Sequence, residues 1–215
     1  MGINVTPSKE TILKKIRQAL SDSTPLPFPQ SEGTQPIFTP NKQEMEVEFA
    51  EQFTKLLGKF AYCANEQELK NQLAQLIVDR EWKKLYWQEE HTSLGSVLTQ
   101  TIPDEIRTTD LATCDASFTS CEFLVARTGS MVLSAGLSSG RTTSIYAPVH
   151  ICIAYTSQLV YDVKDALQKI REKYYGQMPS LLTFATGPSR TADIEKTLVV
   201  GVHGPKEVYC FLVED

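Results

Sequence analysis

Four short segments combine glycine with hydroxyl, guanidinium or imidazole side chains at spacings that suit a small anion. The densest runs from Leu181 to Glu195. Leu181–Phe184 reads as a strand, Gly187 and Pro188 as a tight turn, and residues 191–200 as a helix with Ser189 and Thr191 as candidate N-caps. A turn feeding a helix start presents backbone N–H groups and the positive end of the helix dipole to an anion. Gly187 permits close backbone approach, and Arg190 adds a forked donor matched to carboxylate or phosphate. Asp193 and Glu195 suit the same dipole, so helix capping accounts for them as well as catalysis does.

The other three segments are sparser. Thr128-Gly129-Ser130 precedes an apolar strand; such a corner either binds an anion through backbone N–H groups or is an ordinary turn. Ser134 to Arg141 is a loop of small residues ending in a cation, which suits a lid or an exposed hairpin. In Gly201-Val202-His203-Gly204-Pro205 the imidazole stands between two glycines, and an ordinary pKa of about 6.5 suits proton transfer. A turn histidine bonded to backbone is the alternative. His150, after Pro148 in an apolar run, reads as a core or strand-edge residue, and His91 beside Glu89 and Glu90 as solvent-facing. Three histidines this far apart define no metal site, although folding could bring His150 and His203 together. The candidate binding set is Gly129, Ser130, Arg141, Gly187, Ser189, Arg190, Thr191, His203 and Gly204, with no catalytic residue assigned and no metal. No Walker loop, dinucleotide fingerprint or nucleophile elbow occurs.

Positioning these loops requires an alternation of helices and strands. Helices are predicted over 42–58, 66–80 (with an Asn65/Glu68 capping box), 93–100, and from Ser157 to about Tyr174 with Val160, Val163, Leu167 and Ile170 inward. Strands are predicted over 60–63, 84–87 and 207–213. Shorter ones fall within 107–119 and 122–134, and one or two central strands within 144–155. Strands without alternation, interleaved with helices, give an α/β fold with a mainly parallel sheet covered on both faces. Ligands in such folds sit beyond strand ends. Upstream, Ile12, Leu13, Ile16 and Leu20 mark one face of a helix over 8–20, and the prolines of residues 21–41 mark an irregular linker. The domains are therefore 1–41, helix plus linker, and 42–215, the α/β domain.

Composition narrows the classes. The 215 residues carry a formal charge of −5, and no Lys/Arg cluster would track a phosphate backbone, so nucleic acid is not an expected partner. No stretch approaches the ~20 apolar residues of a membrane helix, and Met1–Glu10 has no apolar signal core, so a cytoplasmic location is expected. Five scattered cysteines in apolar runs read as buried thiols in a reducing compartment. Without CxxC there is no zinc ribbon or iron–sulfur ligand set, and no cofactor is expected.

Taken together, Thr128-Gly129-Ser130 with its following strand, Pro148-Val149-His150-Ile151, the 187–195 signature and Gly201–Pro205 resemble the LUD-domain family, in the pattern of its lactate-utilisation protein C subfamily. The resemblance spans roughly residues 43–215. It implies a three-layer α/β fold shared with phosphosugar isomerases and CoA transferases. It also implies a cluster-free part in oxidation of L-lactate to pyruvate, beside sibling subunits that carry iron–sulfur clusters. One departure stands out: where the family pattern has Ala-Glu-Thr-Gly, this chain has Ala126-Arg127-Thr128-Gly129. No catalytic residue carries over. The competing readings are an enzyme or a metabolite sensor acting on a phosphorylated or CoA-linked molecule. A covalent CoA transferase would need a nucleophilic glutamate, for which Glu122 and Glu195 are the candidates.

Overall fold

The structure is a computed structural model and describes residues 7–21, 43–88, 91–191 and 199–215. Helix α1 (Pro7–Ser21) belongs to a unit, Met1–Thr39, distinct from Pro40–Asp215. Proline suits its first position, where no N–H is needed. From residue 22 the predicted linker lies outside the described residues.

The second unit runs α2 (Met45–Lys55), β1 (Lys59–Cys63), α3 (Glu66–Asp79), β2 (Leu85–Tyr86), α4 (Ser93–Thr101), β3 (Ala116–Thr119), β4 (Phe123–Val125) and β5 (Ser130–Ser134). It continues through α5 (Thr143–Tyr146), β6 (Val149–Tyr155), β7 (Leu159–Val160), α6 (Val163–Lys173), β8 (Leu182–Ala185), β9 (Arg190–Thr191), β10 (Val199–Val200) and β11 (Glu207–Val213). The central sheet is parallel throughout, in the order β1-β11-β6-β3-β2. Its middle strands are buried on both faces, which is why they read as unbroken apolar runs.

One face carries α3 and α4. Leu69, Leu73 and Ile77 of α3 recur at helical spacing and pack with Leu94, Val97 and Leu98 against Phe118, Ile151 and Phe211. The Asn65 side chain accepts from Glu68 N at 3.0 Å, while the Glu68 carboxylate reaches back to Ala64 N at 2.9 Å. The other face carries a composite layer. A second sheet, β7-β4-β5-β8, alternates: Leu124, Met131 and Leu133 face inward, and Val125 and Val132 face α6 with its Ala166 and Ile170. Phe49 and Phe53 of α2, rings 5.4 Å apart, fill the space between the two sheets.

Three expectations change. The 144–155 run is not all strand: α5 precedes β6, because Thr143 Oγ1 bonds Ser139 O at 2.7 Å and Pro148 removes a ladder donor just before the strand. Ser157 does not cap the following helix; it donates to the Asp215 carboxylate. That helix begins at Val163, with Asp162 and Asp165 forming the capping box, and Leu167 faces water. Third, Arg190–Thr191 is not a helix start but pairs antiparallel with Val199–Val200. The β-branched Thr191, Val199 and Val200 suit that ladder; residues 192–198 lie outside the described set.

Candidate functional site

Two of the anticipated loops meet because β5 and β8 are antiparallel. Met131 pairs with Ala185, which brings Ser130 Oγ to 2.7 Å from Thr186 Oγ1 and 2.8 Å from Thr128 Oγ1. The glycines of these loops serve packing. Gly129, at φ +60°, would place a Cβ 2.4 Å from Phe53 N; Gly187, at φ +84°, would place one 2.4 Å from Leu56 O. Both seat the C-terminal end of α2, a contact that only a residue without Cβ permits.

A second junction joins residues 186–191 to 201–205. Ser189 N–H donates to Pro205 O at 3.0 Å, its hydroxyl donates to His203 O at 2.9 Å, and Gly201 N–H donates to Ser189 O at 2.8 Å. Ser189 is thus a stitch between loops and not a helix cap, and its donors are already engaged.

Between these loops, β8 and α5 lies a cleft of about 440 Å³. Of the nine anticipated residues, Gly187, Ser189, Arg190, His203 and Gly204 line it. Ser130 lies beneath, behind Thr186; Gly129 lies under α2; Thr191 is paired with Val199. Arg141 does not join them. Its guanidinium donates to Ser180 Oγ, at the end of β8 opposite to Thr186, since the 135–142 loop leaves β5 where Ser134 pairs with Leu182. The expected convergence of two arginines therefore reduces to one.

The cleft gains residues outside the anticipated set: Ser144, Thr183, Thr186 and, above all, His150, which folding does bring to the same cleft as His203. His150 is 1% exposed, and its Nε2 lies 2.8 Å from Thr119 Oγ1. Burial lowers its pKa, which keeps the ring neutral. The available signal was positional, a histidine at the second residue of a central strand, two residues after a proline. Behind it, strand register sets Cys152 beside both Thr119 and Cys210, and Cys121 joins the same buried cluster. All five cysteines are buried and free. Among the described residues, no group of three or more His, Cys, Asp or Glu is placed to hold a metal ion, and no helix is long and apolar enough to cross a membrane.

The arrangement combines one exposed cation, Arg190, with an exposed imidazole, a buried neutral imidazole and the hydroxyls of Ser144, Thr183, Thr186 and Ser189. Such a set can take a carboxylate on the guanidinium and offer donors and acceptors to a neighbouring oxygen. Two other anticipated groups turn away from it. Arg127, the departure from the family pattern, pairs through Nε with Asp162 Oδ2 at 2.6 Å and braces the cap of α6; that hydrogen bond lowers the Asp162 pKa. Glu122 is buried and accepts from Lys173 Nζ and Tyr174 OH, each at 2.7 Å, and from Ser134 Oγ at 2.5 Å. A carboxylate so sealed is a poor nucleophile. Glu195 lies outside the described residues.

A family model described as the LUD domain matches residues 47–213. The chain is 37% identical over 102 residues to lactate utilization protein C of Shouchella clausii, covering 47% of this chain and 44% of that protein. Against the Bacillus subtilis protein of the same name it is 36% identical over 103 residues, covering 47% and 43%. Against an uncharacterized protein of Neisseria meningitidis serogroup B it is 34% identical over 105 residues, covering 49% and 45%. The chain thus aligns with less than half the length of these relatives. A crystal structure of a DUF162 family protein from Deinococcus radiodurans matches with a TM-score of 0.59 at 18% identity, over 81% of this chain and 99% of that one, a likeness of fold.

Proposed function

Since this chain belongs to the LUD domain family, we propose that it serves lactate utilisation by holding a small 2-hydroxy or 2-oxo carboxylate in the cleft above His150. The name shared by several curated relatives supports the pathway. The observation that carries the site is the junction of the 186–190 and 201–205 loops, which sets Arg190 and His203 over a buried neutral histidine. In a chain of net charge −5, one guanidinium on this rim is a local focus for an anion. The carboxylate sits on Arg190, and the 2-oxygen faces the imidazoles of His203 and His150. Oxidation of lactate to pyruvate releases two electrons and two protons. In this reading the imidazoles handle protons, and sibling iron–sulfur subunits accept the electrons.

Calorimetric titration of L-lactate and pyruvate into the wild type and Arg190→Ala tests the site. A charge-assisted hydrogen bond contributes about 1.5–3 kcal/mol. Arg190 is exposed, so the lower end applies and affinity falls about tenfold, with the melting temperature unchanged. Equal affinity in both proteins removes Arg190 from the site. A lower melting temperature with intact affinity makes it a brace of the β9–β10 ladder.

A further inference from the structure

The cleft does not end at His203. A second hollow of about 460 Å³ adjoins it, shares Ile145, His203 and Gly204 with it, and continues to Tyr146, Pro148, Val202 and Lys206. Hollows of about 300–1,000 Å³ take ligands far larger than a three-carbon acid, so lactate alone would fill a small part of one and none of the other. Both hollows mix polar and apolar lining. The first sets Arg190, imidazoles and hydroxyls beside Phe184 and Val208, and the second sets Tyr146 and aliphatic groups open to water beside His203 and Lys206. Tyr146 is 67% exposed, Val202 42% and Ile145 39%. Single exposed apolar residues are unremarkable, but three in one concavity beside a polar site mark a place for apolar ligand surface.

These residues are also held in place. α5 is anchored at both ends of Thr143, whose hydroxyl bonds Ser139 O and whose carbonyl accepts from Ser117 Oγ, each at 2.7 Å. Gly201, at φ +75°, has the position of a Cβ occupied by the Lys206 stem, 2.2 Å away, so only glycine lets the lysine lie along this wall.

We infer that the groove takes a two-part ligand: an acid group at Arg190 and His203, joined through a short spacer to a flat unsaturated ring seated on Tyr146, Pro148 and Val202. This rests on the carboxylate reading above and extends it. Two sources share that chemistry, an aryl-substituted 2-hydroxy acid and a nucleotide.

The test is titration of 3-phenyllactate and adenosine monophosphate, each beside its ring-free counterpart, L-lactate and inorganic phosphate, into the full chain. The variants are Tyr146→Ala, Tyr146→Phe and Arg190→Ala, with melting curves alongside. One ring-bearing ligand should bind at least about tenfold tighter than its counterpart, the equivalent of about 1.4 kcal/mol. Tyr146→Ala should abolish that advantage and Tyr146→Phe keep it, because stacking needs the ring and not the hydroxyl. Which ligand gains identifies the source. If lactate binds through Arg190 and no ring adds affinity, this inference fails while the carboxylate reading stands. If none of the four binds, both fail. Ring-bearing ligands that bind through Tyr146 but ignore Arg190→Ala overturn the two-part ligand as well.

Discussion

Replacing Gly129 by alanine separates a packing role for the Thr128-Gly129-Ser130 corner from an anion-binding one. At φ +60° an alanine pays a left-handed backbone cost of about 1–2 kcal/mol. Its Cβ would also stand 2.4 Å from Phe53 N and 2.6 Å from Gln52 C, against the 3.4 Å at which ordinary contact begins. Those are helix backbone atoms, so α2 must retreat by about 1 Å. It cannot do so freely, because Phe49 and Phe53 are fully buried between the two sheets. Overpacking of this kind costs about 1–3 kcal/mol. The two contributions together lower stability by about 2–5 kcal/mol, or roughly 4–20 °C in melting temperature for a domain of this size. Gly176 supplies the control: at φ +80° it has nothing within 4 Å of its Cβ position, so Gly176→Ala reports the backbone cost alone. Urea unfolding of both variants gives the difference. If Gly129→Ala is no more damaging than Gly176→Ala, the helix does not press on this corner and the packing argument is wrong.

Glu122 makes stability depend on acid. Burial by itself raises its pKa, but the hydrogen bonds from Lys173, Ser134 and Tyr174 outweigh burial and hold it below the ordinary 4.5. The folded value is the lower one, so its contribution is present above about pH 4.5 and is lost as pH falls through the folded value. Glu122→Gln should cost about 1–3 kcal/mol at pH 7 and flatten the acid limb of stability against pH; an unchanged acid limb refutes the network. Arg127→Glu, which restores the acid of the family pattern, should destabilise by about 1–2 kcal/mol by setting two carboxylates together at the cap of α6. Adding Asp162→Asn should recover part of that loss, with lactate affinity untouched throughout; a change in affinity would place residue 127 at the site. Deleting residues 1–41 should leave a single cooperative melt, consistent with the division of the chain near Pro40; loss of cooperativity would make α1 part of the domain.

Local rules reach far into this chain. The Asn65 cap, the helical stripe of Leu69, Leu73 and Ile77, and the last strand at Glu207–Val213 are legible because their causes lie within one element. The α/β class and the parallel sheet follow from unalternated apolar strands between helices. The loops 186–191 and 201–205 could be picked out as candidates from glycine, arginine and histidine spacing. Their roles could not, because those depend on what crosses them from elsewhere. Gly129 and Gly187 read as anion loops until α2 lies against them. Residues 190–191 read as a helix start until Val199–Val200 supplies a ladder partner. Arg127 and Arg141 look alike as cations on loops, but Asp162 claims one and Ser180 the other. His150 reads as core because strand periodicity tells only which face it shares, and the hollow above it is made by loops distant in sequence. Sequence alone determined the α/β alternation and most of its elements, since hydrogen-bonding and hydrophobic periods are local. Tertiary structure alone decided which polar groups remain available to a ligand, since a donor's fate rests on the partner that long-range packing brings to it.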